Sequence, residues 1–174
     1  MMKGFTRKNP HLSLCGLNCG LCPMHLGGHC GGCGFGNQSC PIARCSLEHG
    51  GYEYCHECPE YPCKRYEHID EKDSFITHRN QKADLEKVRR IGEEAYNAEQ
   101  AEKLEILQKL LAEYNDGRRK TLFCTAVNLM ELQDLKEVLA QTEAEGAALP
   151  LKEKAALMVR LLQQKSTVDL KLRK

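Results

Sequence analysis

The chain has 174 residues and carries 25 Lys and Arg against 24 Asp and Glu, a net charge of +1 with neutral histidines. That length suits one ordinary domain or two small ones, and the near-zero charge gives no general attraction to nucleic acid or anionic membrane. No run approaches the ~18 consecutive apolar residues of a spanning helix, and the basic opening MMKGFTRKNPHLSL lacks the apolar stretch of a secretory signal, so a cytoplasmic protein with no membrane partner is expected.

Cysteine and glycine crowd the front of the chain. Ten of the 11 cysteines lie between Cys15 and Cys63, and ten of the 14 glycines between Gly16 and Gly51. The stretch LCGLNCGLCPMHLGGHCGGCG, Leu14 to Gly34, has five cysteines, seven glycines and little that packs a core. Three Cys-x-x-Cys pairs stand out, at Cys19/Cys22, Cys30/Cys33 and Cys55/Cys58, joined by Cys15, Cys40, Cys45 and Cys63. Two intervening residues let a tight turn aim both sulfurs at one ion, and Gly20, Gly31, Gly32 and Gly34 supply the backbone freedom such turns need.

Three chemistries fit so many thiols. Disulfides are disfavoured by the odd total, the absence of an export signal and a reducing compartment. Zinc is the leading reading, because four thiolates from paired Cys-x-x-Cys turns close a tetrahedral structural site. A front of about 50 residues with so few large apolar groups needs such a staple, and a zinc site contributes roughly 10–16 kcal/mol. An iron–sulfur cluster is the alternative, since Cys-Pro pairs and closely spaced cysteines also serve clusters. The Cys15-x3-Cys19-x2-Cys22 spacing resembles the cluster motif of radical S-adenosylmethionine enzymes, but those need a barrel of roughly 200 residues or more.

The candidate metal ligands are therefore Cys15, Cys19, Cys22, Cys30, Cys33, Cys40, Cys45, Cys55, Cys58 and Cys63, enough for two or more zinc ions. One economical partition gives Cys19, Cys22, Cys30 and Cys33 one ion and Cys40, Cys45, Cys55 and Cys58 another. Cys15 and Cys63 then join histidine in a third site or exchange into the first two, and a cross-braced pairing fits equally well. His25, His29, His49 and His56 lie within the cluster; each reads first as a loop histidine, because cysteine alone saturates two sites.

Tyr66 to Asp73 is the expected junction, dividing a Cys-rich metal-binding domain at 1–70 from a helical domain at 71–174. Ala83, Leu85, Val88, Ile91 and Ala95 recur as one face of a helix. Asn97 with Gln100 resembles a capping box opening a second helix through Ala101, Leu104, Leu107, Leu111 and Tyr114. Asn115-Asp116-Gly117 ends it, and Thr121 to Val127 is an apolar run too short to type. Asn128 with Glu131 resembles another capping box, opening a helix through Leu132, Leu135, Val138 and Leu139 that stops at Gly146. Pro150 starts a last helix with a stripe at Leu151, Ala155, Met158 and Leu162; the tail from Ser166 gives no clear pattern. The fold class expected is mainly α, with an irregular metal-stabilised Cys-rich part, zinc knuckles, followed by a helical bundle.

Two features of the back half admit chemistry. Arg118-Arg119-Lys120 is a basic turn, read first as a solvated loop. Cys124, in the apolar TLFCTAV, reads as a buried small hydrophobe and not a nucleophile.

The strings CGLNCGLCP, CGGC, CPIARC, CHECPEYPC and the later YNDGRRK turn together resemble the bacterial and archaeal family called domain of unknown function 3795. The Cys-rich likeness covers about residues 12 to 66, and a helical extension of the kind seen in some members covers much of the rest. The resemblance implies a small zinc-binding, zinc-finger-like protein and leaves activity open.

The expected function is a zinc-stabilised module with closed structural sites that serves interaction, with a protein partner before nucleic acid, since charge is near neutral and the front has few aromatics. The alternatives are an iron–sulfur electron-transfer protein and a metalloenzyme with an open site that includes Cys15, Cys63 or a histidine. No HExxH, phosphate loop, nucleophile elbow or dinucleotide fingerprint appears, so no catalytic residue is assigned.

Overall fold

Gly92 sets the layout of the helical half. In the computed structural model, which describes residues 2–174, Gly92 adopts φ 85° between α3 (Gln81–Ile91) and α4 (Glu93–Glu113). Glycine takes that left-handed region at no steric cost. α4 therefore begins four residues before Asn97, with Glu93 and Glu94 in its first turn, where negative charge complements the helix dipole. Ala95 belongs to α4 and not to the stripe before it. The residues resembling a cap face the front instead: Asn9 Nδ2 donates to Asn97 Oδ1 at 3.1 Å, and Asn18 Nδ2 donates to Gln100 Oε1 at 2.9 Å.

The other elements follow in order. α1 (Pro23–Leu26) and α2 (Pro41–Glu48) lie in the front, each with Pro at its first position. α5 (Lys120–Leu129) absorbs the untyped apolar run, and α6 (Leu132–Gly146) and α7 (Leu151–Lys165) match the last two stripes. Asn128 does not cap α6: its side chain donates to the Cys124 carbonyl within α5 at 2.8 Å, and Glu131 holds the N-cap position. The chain is mainly helical; among the described residues there is no strand, only an isolated bridge between Leu12 and Asn18.

The core does not divide where composition does. The largest apolar cluster joins α4 to α7 through Leu107, Leu110, Phe123, Val127, Leu135, Met158 and Leu162, and it includes the fully buried Leu21 of the front. A second cluster sets Leu12, Tyr54 and Tyr66 of the front against Leu85 and Val88 of α3 and Tyr96 of α4. A third, Met2, Phe5, Leu14 and Ala43, lies wholly in the front. Truncating a fully buried leucine such as Leu21 costs about 2–5 kcal/mol, so the helical bundle depends on a residue flanked by cysteines.

Polar groups stitch the same seam. The Tyr54 hydroxyl donates to Glu93 at 2.7 Å and accepts from Asn9 at 2.9 Å. The tail also folds back: Leu170 is buried, Arg79 donates to the Lys171 carbonyl at 2.9 Å, and the Arg173 N–H donates to Asp73 at 2.8 Å.

On α3, burial pushes the Asp84 carboxyl from 3.8 up to about 7, against the opposing pull of Lys103 and a hydrogen bond from Tyr96. The folded protein thus holds this proton more tightly than the unfolded chain. The stability it contributes is full below about pH 4 and is lost as pH rises through about 7. Asp84→Asn should flatten the pH dependence of stability across that window, measured by urea unfolding at a series of pH values; an unchanged slope would show that Asp84 does not titrate in this way.

Candidate metal centre

Short 3-10 turns aim two of the Cys-x-x-Cys pairs. One spans Cys19–Leu21 and leads into Cys22, whose N–H donates to the Cys19 carbonyl at 3.1 Å; the Asn18 side chain caps it by accepting from the Leu21 N–H at 3.2 Å. The other spans Cys55–Glu57 and leads into Cys58, with the same bond at 3.1 Å. Here Glu57 accepts from the Glu53 and Tyr54 N–H groups at 2.9 and 3.2 Å. The third pair is shaped by glycine: the Gly32 N–H donates to Cys30 Sγ at 3.4 Å, and a Cβ on Gly36 would lie 2.2 Å from that sulfur. Cys40 caps α2, Cys45 lies on it, and Cys63 caps a turn at Lys64–Tyr66.

All 11 cysteines are free thiols. Cys33, Cys15, Cys22 and Cys30 lie near enough to Cys19 to add to the rise of its pKa. Cys33, Cys40 and Cys55 pack against the third apolar cluster, and Cys15, Cys55 and Cys63 against the second. Cys45, Cys55, Cys58 and Cys63 line a single cavity. Cys40 does not line this cavity. The reason is that Cys40 starts α2 whereas Cys45 lies a turn further along it. Among the described residues, no three Cys, His, Asp or Glu side chains meet at the spacing of a single-ion site.

Several side chains attend the sulfurs. Gln81, the first residue of α3, donates its Nε2 to Cys15 Sγ at 3.2 Å, and the Ser13 hydroxyl lies 3.2 Å from the same atom. Gly16 permits this approach, since a Cβ there would stand 2.1 Å from the Gln81 carbonyl oxygen. Arg65 lies beside Cys45, whose thiolate raises the guanidinium pKa. Nothing in the spacing of Gln81 marks it; the return of α3 onto the front brings it to Cys15.

Burial dominates the electrostatics of the thiols. It pushes Cys19 and Cys55 up to about 12 and Cys33 to about 11, with neighbouring cysteine sulfurs adding to the rise. Cys15 is raised as well, burial outweighing the bonds from Ser13, the Leu17 N–H and Gln81. A cation reverses this balance: thiolate ligands bind it and release their protons. The donor set, soft sulfur with N–H groups aimed at it, suits zinc or iron and not a hard oxygen-loving ion.

Of the described histidines, His49 alone contacts a cysteine sulfur, its Nδ1 lying 3.6 Å from Cys45 Sγ. His25 Nδ1 pairs with the Cys30 carbonyl at 2.9 Å and His49 Nδ1 with the Cys45 carbonyl at 2.8 Å. His56 stacks on Tyr54 with ring centroids 5.4 Å apart, its Nε2 buried without a partner, and His29 is exposed. Cys124 is buried on α5 with its thiol pushed up to about 11 by desolvation, the setting of an inert hydrophobe. In the basic turn, Arg119 pairs with Asp116 at 3.4 Å.

Comparison with protein-family models, curated proteins and solved structures returned no match. No helix among the described residues is long and apolar enough to cross a membrane.

The Gly36 cradle makes a direct prediction. Gly36→Ala should swing the Cys30 sulfur aside and lower bound metal, while circular dichroism keeps its helical signal; full metal content in the variant would show that Cys30 does not ligate.

Proposed function

We propose that this chain is a metal-stabilised, Cys-rich module, zinc-binding at the Cys19, Cys22, Cys30 and Cys33 knuckles, whose helical half serves protein interaction. The observation that supports this reading is ten free thiols carried on turns of the front, with a backbone donor directed at the Cys30 sulfur and a side-chain donor at the Cys15 sulfur. Thiolate ligands would give up their protons to a bound cation, and the cation would then tie the turns together. Four thiolates leave zinc no open position, so such a site orders loops and does not activate water. The motif-level resemblance to domain of unknown function 3795 is consistent with this reading. A protein partner is preferred to nucleic acid because the net charge is +1 and one arginine of the basic turn is paired within the chain.

Elemental analysis of protein purified without air tests the proposal. At least two metals per chain are expected, with Cys19→Ser reducing the content and Cys124→Ser leaving it unchanged; less than one metal per chain together with formed disulfides would overturn it.

Chelation supplies a second test, read by hydrogen exchange. Metal removal should expose the amides of α3, which packs against Leu12, Tyr54 and Tyr66, before those of α6 and α7, which pack on one another. Simultaneous exposure of all helices would instead identify one cooperative unit.

A further inference from the structure

Two closed four-thiolate sites use eight thiols, so the ten front cysteines leave two over. A broad open groove of about 1160 Å³ has Cys45 and Cys63 on its wall, together with His49, Lys64, Arg65 and Lys82. Cys45 is half-buried, and both His49 and Arg65 are exposed.

The donors at Cys45 differ from those at other sulfurs. Cys15 has Gln81 and Ser13, Cys30 has the Gly32 N–H, and Cys55 has the Tyr66 hydroxyl, all of them neutral. Cys45 has a guanidinium and an imidazole. Arg65 hydrogen-bonds it, and His49, one helical turn further along α2, places Nδ1 3.6 Å from its sulfur. The same Nδ1 lies 2.8 Å from the Cys45 carbonyl oxygen, which only accepts, so that nitrogen carries the proton. Its N–H is shared between carbonyl and sulfur. His49 also caps the C-terminal end of α2, where the helix dipole favours a cation. A thiol that is partly exposed and set among cationic donors is a reactive one. Arg65 acts on Cys63 as well, but through space and without a hydrogen bond, so the two groove cysteines are not equivalent.

The groove also favours one kind of reactant. Lys64, Arg65 and Lys82 line it against Glu60 and Glu67, and Lys82 is paired with Asp70 at 3.1 Å. A guanidinium has five N–H donors, so Arg65 can hold the sulfur and a carboxylate at once.

We propose that Cys45 is a modification site, at which its sulfur, held by Arg65 and His49, exchanges with a small disulfide that bears carboxylates. Cys45 Sγ bonds to one sulfur of the reactant, the reactant's S–S bond breaks, and the other half leaves as a thiolate that takes up a proton equivalent to the one Cys45 loses. The protein thiol is oxidised and the reactant disulfide is reduced, so no further oxidant enters. The inference goes beyond the metal-module reading and draws on it only for the count of spare thiols.

The test treats the full chain, purified anaerobically with zinc, with oxidised glutathione as the carboxylate-bearing disulfide. Adducts are located by peptide mass mapping while zinc release is followed. The first adduct should form on Cys45 with no zinc released. Arg65→Met should slow that adduct about tenfold through loss of the cationic partner. Cystamine, a cationic disulfide, should react more slowly than oxidised glutathione, and the Arg65→Met variant should lose this preference, which a merely structural role for Arg65 would not move. A first adduct on another cysteine with zinc retained overturns the inference. Reaction at Cys45 only after a chelator has removed zinc makes Cys45 a ligand, which overturns the inference and leaves the metal-module reading standing. A chain that binds no metal yet reacts first at Cys45 upholds the inference and overturns that reading. A chain that binds no metal and reacts at its thiols without order overturns both.

Discussion

Sulfur crowding is the constraint on which the rest of this structure depends. Ten thiols share a front that has only a small apolar cluster of its own, and burial pushes several of them well above their ordinary pKa. Neutral thiols in such a setting pack as small hydrophobes, and it is the turns carrying them that have to be held in place. The 3-10 turns, the glycine cradle at Cys30 and the side chains of Ser13 and Gln81 are the protein's share of that task. The proposed metals are the remainder.

The same constraint explains why front and back interlock. A segment with so few large side chains has to borrow apolar contact, and it does so by sending Leu21 into the helical core and by setting Leu12, Tyr54 and Tyr66 against α3 and α4. In return the helices lend polar groups to the front, Gln81 to Cys15 and Glu93 to Tyr54. Burial of leucine and tyrosine, and not the linker between the halves, determines how they sit.

Much of the helical half was legible because its signals are local. The stripes of α6 and α7, and their bounds near Gly146 and Pro150, follow from 3.6-residue periodicity and helix-end chemistry. The start of α4 was not, because Asn97 and Gln100 have the residue types of a cap but spend their side chains on Asn9 and Asn18. Asn128 misled in the same way, bonding within α5. Among the cysteines, local spacing revealed the three Cys-x-x-Cys turns. Which distant turn each one faces depends on α2 and on the return of the chain at Lys64–Tyr66, and no short-range pattern encodes that return. Tyr66 itself reads as an ordinary aromatic until its buried hydroxyl is placed beside Cys55.

The folded-back tail has a consequence for how the two compositional halves move. The stretch at residues 67–80 has the composition of a hinge, yet Asp73 near its middle receives the Arg173 N–H, and Arg79 near its end grips the carbonyls of Asp169 and Lys171. The last residues thus act as a strap across the joint, and α3 carries that restraint directly to Cys15 through Gln81. A partner that peeled away the C-terminal segment would loosen the joint beneath it, so the chain's final few residues are a lever on the cysteine patch at its other end.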